Sequence, residues 1–313
     1  MKSRCHVVLS FLSLAFILAL PAGCRTGSSK TKKKKKEDDK PFVGPRGQGA
    51  GDAPGLAKGK SLFVQKSYTA ALREFDGYIK KHPEDARGYY YRSICLQALQ
   101  RPKEAIEALQ KAVARKPEFP EKHNNLAGLL IQGKKLEAAV RVLEAAVKAF
   151  PGDGSLWYNL GLAHLFRGKF ADAARALDKA AKGPAPDPKV LLAAGIAYLK
   201  DGRPKEALTR FEKALSRGGA NAGAHEGAAK SLLAVGRIAE ALKHAKKASS
   251  LSPGNAARLH LLGVVLLASK RPKEAAASFQ RAAGKSPKSA TVHLRWADAL
   301  SRSGKAREAL KKI

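Results

Sequence analysis

Residues 154–187 read GSLWYNLGLAHLFRGKFADAARALDKAAKGPAPD, and this stretch decides the fold. Its second half carries Ala173, Leu177 and Ala180 at intervals of four and three, which place all three on one face of a helix. Gly168 divides the stretch in two, as a glycine does where one helix ends and another follows. The stretch therefore predicts a pair of α-helices.

The helix pair recurs along the chain with a period of 34 residues. The pentapeptide RPKEA begins at Arg101, Arg203 and Arg271, which are whole multiples of that period apart. A period in this range is typical of stacked helix–turn–helix units. The sequence thus predicts an all-α solenoid of eight units, the last truncated at Ile313. The units begin at residues 52, 86, 120, 154, 188, 222, 256 and 290, and each contains the same alanine (Ala71, Ala105, Ala139, Ala173, Ala207, Ala241, Ala275 and Ala309).

Each unit combines small residues with bulky ones. The eighth position is always Gly, Ala or Ser, and the twenty-fourth is mostly Leu or Phe, which predicts close helix packing. Glycine at the fifteenth position predicts a left-handed cap on the first helix, and proline two positions later predicts the start of the second. These residues are Gly168, Gly202, Gly236 and Gly304, with Pro102, Pro204 and Pro272. The first unit has Gly55 and Lys58 in place of large apolar residues, which predicts a frayed first helix.

The unit at 154–187 resembles the tetratricopeptide repeat through Trp157, Leu160, Gly161, Ala173, Leu177 and Ala180. The resemblance extends over about residues 52–313. It implies a right-handed superhelical solenoid that acts as a non-enzymatic scaffold for protein–protein interactions, with the first helix of each unit lining a concave groove.

In units two to four the resemblance implies a groove, called here the N-terminal groove, lined by Arg87, Tyr90, Tyr91, Gln97, Asn124, Asn125, Tyr158, Asn159 and Phe166. Its rings and amides suit an extended peptide or an amphipathic helix, so a protein or peptide is the expected partner. Later units present apolar residues that favour an apolar helix: Leu192, Ile196, Leu199, Val264 and Leu267.

The head of the chain predicts export. Lys2 and Arg4 precede the apolar run 7–20, which is the layout of a secretory signal and is too short for a membrane span. Residues 21–24, which read PAGC, resemble a bacterial lipobox with proline where leucine is usual. Residues 1–23 are therefore the predicted signal peptide of a lipoprotein. The resemblance implies lipid attachment at Cys24; plain cleavage or a short uncleaved anchor are the alternatives.

Residues 24–51 are rich in Gly, Pro, Ser and Lys without apolar periodicity, which predicts a lipidated, disordered tether. The block Lys32 to Lys36 is either a solvated charge run or a contact with anionic lipid or surface polymer. Because Arg25 rather than aspartate follows the cysteine, the resemblance implies a cell-envelope protein anchored in the outer membrane, on its periplasmic face. Cys95 is the cysteine left in the repeat region, and we expect it to be a packed, inert thiol.

The formal net charge of the chain is +33. Residues 1–51 hold 11 Lys and Arg against 3 Asp and Glu, so the repeat region keeps 48 against 23, a surplus of 25. Such a surface attracts polyanions. The alternative function is therefore a module that binds an anionic envelope polymer, acidic lipid or nucleic acid, although nucleic acid fits poorly with an exported chain whose basic residues are spread over all units.

The motifs that would indicate chemistry are incomplete. Residues 55–61 read GLAKGKS, but Pro54 stands where a phosphate-binding loop needs glycine. His123, His225 and His293 occupy one packing position in three separate units, so they are expected to be structural. We therefore predict no enzymatic activity, no metal site and no cofactor.

Overall fold

The computed structural model describes residues 53–116, 118–218 and 221–311 of the chain. These residues form sixteen α-helices and no β-strand, apart from one isolated parallel bridge between Asp85 and Lys116. The predicted signal peptide and tether, with Cys24, lie outside the described residues. The helices are α1 (Pro54–Val64), α2 (Tyr68–Lys81), α3 (Ala86–Ala98), α4 (Pro102–Val113), α5 (Pro120–Gln132), α6 (Leu136–Ala149), α7 (Gly154–Phe166), α8 (Phe170–Ala180), α9 (Pro188–Lys200), α10 (Pro204–Gly218), α11 (Ala222–Ala234), α12 (Ile238–Leu251), α13 (Ala256–Ala268), α14 (Pro272–Lys285), α15 (Ala290–Arg302) and α16 (Ala306–Leu310).

The helices fall into two compact bodies, each made of several repeats, and the chain divides between them after Gly168. The N-terminal body comprises α1–α7, in which α1 packs on α2, α3 on α4 and α5 on α6, and each pair packs on the next helix in the chain. The C-terminal body comprises α8–α16 and repeats the arrangement with the pairs that start at α9, α11, α13 and α15. The predicted all-α fold of consecutive helix pairs is confirmed.

The turn inside each pair has a left-handed residue at its tip. The predicted glycine caps Gly168, Gly202, Gly236 and Gly304 have φ between 73° and 85°. The same place in the other four units is held by Lys66, Gln100, Lys134 and Lys270, with φ between 57° and 61°. A non-glycine residue in this conformation costs roughly 1–2 kcal/mol. The packing of the helices, and not the residue at the tip, therefore imposes the turn.

The small residue at the eighth position of a repeat packs against the bulky residue at the twenty-fourth position of the same helix pair. The eight recurrent alanines are all buried. In the C-terminal body Phe211 lies against Gly195 of its own unit, where an added Cβ would come within 2.6 Å of the ring. It also lies against Gly227 of the next unit, where a Cβ would come within 2.3 Å. The ring therefore occupies space that only glycine leaves free.

The prediction of a frayed first helix is wrong, since α1 is continuous from Pro54 to Val64. Gly55 lies over the Tyr78 side chain, where even a Cβ would be within 3.4 Å. Lys58 forms an ion pair of 2.8 Å with Glu74. The two residues that replace apolar ones are thus accommodated by contacts with α2. No helix within the described ranges is both long enough and apolar enough to cross a membrane.

Candidate functional site

The nine residues of the N-terminal groove lie on α3, α5 and α7 of the N-terminal body. Helices α5 and α7 are in direct contact, although α6 separates them in the sequence. Side chains on neighbouring first helices can therefore meet across repeats.

Two amide side chains of the groove form a hydrogen-bonded chain between α5 and α7. Asn159 Nδ2 donates to Asn124 Oδ1 at 2.9 Å, and Asn124 Nδ2 donates to Ser155 Oγ at 2.7 Å. Ser155 in turn donates to Asp153, whose carboxylate also caps α7 through the backbone N–H groups of Ser155 and Leu156. The cap of α7 thus holds the groove amides in place.

A third amide, Asn125, connects α5 to α3 through a hydrogen bond with the Tyr90 side chain. Burial, together with the negative charge of Glu121, raises the pKa of Tyr90 far above its ordinary value, so its hydroxyl stays protonated. Each asparagine amide offers two donors and an acceptor with two lone pairs. The bonds described leave amide groups of Asn125 and Asn159 available to a ligand.

Tyr90 and Tyr91 do not line an open surface, which corrects the expectation from the sequence. Tyr90 is 3% exposed and Tyr91 has no exposed area. Tyr91 stacks on Phe75 with ring centroids 5.5 Å apart, and Phe119 covers Tyr90 edge-on at 5.2 Å. Both tyrosines therefore support the groove from within the core. The sequence pattern does not reveal this, because Phe119 lies outside the two helical segments of its repeat.

Arg87 is half-buried and is held by its own helix cap. Its guanidinium binds Asp85 with an N–O distance of 2.7 Å, and Tyr78 donates to the same carboxylate at 2.7 Å. Burial alone would raise the pKa of Asp85, but the hydrogen bonds from Arg87 and Tyr78 outweigh it and lower that pKa. The charge of Arg87 is thus neutralised locally, which makes the groove polar rather than basic.

Gln97, Tyr158 and Phe166 are half-buried, as a ligand-contacting surface requires. Gln97 Nε2 is buried without a hydrogen-bond partner among the described residues. An unsatisfied buried donor of this kind costs about 1–3 kcal/mol. Sequence reasoning missed Ser155, Asp153 and Glu121, which orient the groove amides or set the local charge.

The remaining candidate residues are structural in character. Cys95 is fully buried, and burial raises the pKa of its thiol to about 12, so the predicted packed thiol is confirmed. His123 is buried beside Glu118, and burial lowers its pKa. His225 faces His244 with their Nδ1 atoms 3.0 Å apart. Within the described part of the chain no three His, Cys, Asp or Glu side chains form a group suited to a metal ion.

Two related proteins match part of the chain. It is 26% identical over 99 residues to the Hsp70-Hsp90 organizing protein of Triticum aestivum and 25% identical to Hsp70-Hsp90 organizing protein 1 of Glycine max. Each match covers 32% of this chain and 17% of the relative. The chain therefore corresponds to about a sixth of the length of these relatives.

Two solved structures share the fold. The C-terminal part of a TPR repeat-containing protein from Cytophaga hutchinsonii superposes with a TM-score of 0.61 at 17% identity, covering 78% of this chain and 99% of that one. YrrB, described as a TPR protein with an unusual peptide-binding site, superposes with a TM-score of 0.53 at 21% identity, covering 60% and 96%.

The family models match most of the described chain. One tetratricopeptide repeat model matches residues 56–120, 192–256 and 227–290, which is more than half of the sequence. A second tetratricopeptide repeat model matches residues 96–165 and 130–196. The matched segments follow the helix pairs of both bodies, and the chain belongs to the tetratricopeptide repeat family.

Proposed function

We propose that this protein is a non-enzymatic scaffold that holds a peptide segment of a partner protein in the N-terminal groove. The observation that carries the proposal is the bonded chain of Asn124, Asn159 and Ser155, which fixes amide groups on α5 and α7. The half-buried ring of Phe166 lies two turns further along α7. An amide pairs with a peptide backbone through one donor and one acceptor, and a ring supplies apolar contact area. Such a role is in keeping with YrrB, a TPR protein with an unusual peptide-binding site, and with the Hsp70-Hsp90 organizing proteins.

The groove can be tested with the variant Asn159→Ala/Phe166→Ala, because both side chains are half-buried and neither is part of the core. Peptides of about twelve residues are first selected from a random library against the full chain. We expect their affinity, measured by fluorescence anisotropy, to fall at least about tenfold in this variant, since contacts at the centre of an interface carry most of the binding energy.

The matched control is Gln110→Ala/Gln280→Ala, which removes two exposed amides from second helices. Its affinity for the selected peptides should stay within about twofold of the parent chain. Thermal melting by circular dichroism checks that both variants fold. Unchanged peptide affinity in the folded groove variant would contradict the proposal.

We further propose that the scaffold is a lipoprotein of the bacterial cell envelope, anchored to the membrane through Cys24, with the outer membrane favoured. The proposal is supported by the basic start, the apolar run and the small residues before Cys24. In a bacterial host, Cys24→Ser should abolish incorporation of labelled palmitate and move the protein from the membrane pellet to the supernatant.

Cys5→Ser is the matched control for this experiment, because Cys5 lies within the predicted signal and should leave anchoring unchanged. A high-salt wash separates lipid anchoring from electrostatic attachment by Lys32 to Lys36, since exposed charges are screened at high ionic strength. Parent protein that incorporates no palmitate, or Cys24→Ser protein that still incorporates it, would exclude lipid attachment at Cys24.

A further inference from the structure

Basic side chains follow one another across the first helices of the C-terminal body. Lys200 on α9, Lys230 on α11 and His260 on α13 are 30 residues apart, four fewer than the repeat, so each lies about one helical turn earlier than the last. Arg295 on α15 follows them. Each of these helices contacts the next one in this series. We call these four residues the cationic stripe.

The members of the cationic stripe are close enough to repel one another. Burial and the charge of Lys230 both lower the pKa of Lys200. Burial, followed by the charges of Arg295 and Lys230, lowers the pKa of His260. Neighbouring positive charges have this effect because each disfavours protonation of the other. The four side chains therefore interact electrostatically, and the ring of His260 is neutral at pH 7 because its pKa is lowered from 6.5.

The charge of the stripe is not balanced by the protein. Among the described residues neither Lys200, which is half-buried, nor the exposed Arg295 has an ion-pair partner. His260 Nε2 is buried and has no hydrogen-bond partner in the part of the chain that the structure describes. The carboxylate that reaches the stripe, Glu226, is already bound by Lys230 at 2.6 Å and by Arg258 at 3.1 Å. An excess of positive charge remains on this face.

Aliphatic side chains border the stripe on the same helices. They are half-buried on α9 and α13, and three of them also pack against the hydrophobic core (Leu192, Val264 and Leu267). The other two are Ile196 and Leu199. Single-stranded nucleic acids bind where aromatic rings offer platforms for their bases. Aliphatic surface next to positive charge suits a protein segment that alternates acidic and apolar residues.

We propose that the cationic stripe is a docking surface for an extended acidic segment of a partner protein. Packed helices lie roughly 8–10 Å apart, and the step from Lys200 to Lys230 also moves one turn, about 5.4 Å, along the helix. The charges of Lys200 and Lys230 are therefore about 11 Å apart. An extended chain advances roughly 3.3 Å per residue, so acidic residues at every third position match this spacing.

The test uses two synthetic peptides of about twelve residues, both amidated at the C-terminus so that no terminal carboxylate contributes. One carries glutamate at every third position with leucine and serine between, and the other carries glutamine instead. We expect the full chain to bind the glutamate peptide at least about tenfold more tightly in fluorescence anisotropy.

Lys200→Gln/Arg295→Gln should weaken binding of the glutamate peptide at least about tenfold. The matched control Lys213→Gln/Lys246→Gln removes two exposed charges from the second helices α10 and α12 of the same body, and should change binding less than about twofold. Lys200→Gln removes an unpaired, half-buried charge and should not lower the melting temperature. Arg295→Gln alone serves if the double variant fails to fold, because Arg295 is exposed.

Three results would overturn the proposal. Equal losses in both double variants would mean that general surface charge binds the peptide, and no loss in either would mean that the stripe does not. Tighter binding of oligothymidylate or polyphosphate of similar length than of the glutamate peptide would assign the stripe to another class of polyanion. None of these results bears on the N-terminal groove, whose variant and peptides are different.

Discussion

Gly227→Ala is expected to destabilise the C-terminal body by about 1–3 kcal/mol, although it adds a single methyl group. The new Cβ would lie 2.3 Å from Phe211 Cζ, far inside van der Waals contact. The ring has little room to move away, because it already lies against Gly195. Urea denaturation followed by circular dichroism measures the loss.

The same substitution at Gly284 is the control. Gly284 lies near the end of α14 with no atom within 4 Å of an added Cβ, so alanine there should stabilise the body by about 0.5–1 kcal/mol. Phe211→Leu should restore part of the stability lost in Gly227→Ala, because a smaller side chain makes room for the methyl group. If Gly227→Ala unfolds at the same urea concentration as the parent chain, the packing described around Phe211 is incorrect.

Arg258→Met is expected to cost about 3 kcal/mol through an ion pair that is almost fully buried. Arg258 on α13 is 5% exposed and binds Glu226 on α11, which is 9% exposed. Removing the guanidinium leaves a buried carboxylate that, among the described residues, Lys230 alone still pairs with. Breaking such a pair on one side is more costly than replacing both partners, because the remaining charge stays desolvated. Chemical denaturation of the full chain gives the change in unfolding free energy.

The double variant Glu226→Gln/Arg258→Met distinguishes the contribution of the ion pair to the free energy of unfolding from the contribution of side-chain packing. It leaves no uncompensated carboxylate, so it should recover much of the stability lost in Arg258→Met. Glu226→Gln by itself should also strengthen binding of the glutamate peptide, since it removes the negative charge from the cationic stripe. A double variant as unstable as Arg258→Met would show that the guanidinium contributes through packing alone.

The repeat could be predicted from the sequence because its determinants lie close together in the chain. Ala173 and Leu177 specify a helix face within one turn, and Gly168 marks the end of the preceding helix. This local pattern is weak evidence by itself, but it recurs in eight repeats at an interval of 34 residues, and the recurrence makes the prediction firm. The left-handed turns at Lys66 and Lys270 could not be predicted in this way, because neither residue favours that conformation and packing alone imposes it.

The sites were harder to predict than the fold. Spacing placed Asn124 and Asn159 correctly on neighbouring first helices, and the structure brings them into contact. Spacing also placed Tyr91 on the same face, but that ring lies in the core. The burial of a side chain depends on whether the neighbouring helix pair covers it, and spacing within one repeat does not show this. Three of the four residues of the cationic stripe follow a spacing of 30 residues, so the repeat period of 34 does not reveal them.

The turns with non-glycine tips have a consequence for how such a chain can change over evolution. Where Gln100 and Lys134 adopt the same backbone as Gly202, the turn residue can change at a cost of about 1–2 kcal/mol while the spacing of the repeat is preserved. Whole repeats can then be duplicated or exchanged, provided that the small residues that face the neighbouring repeat are kept.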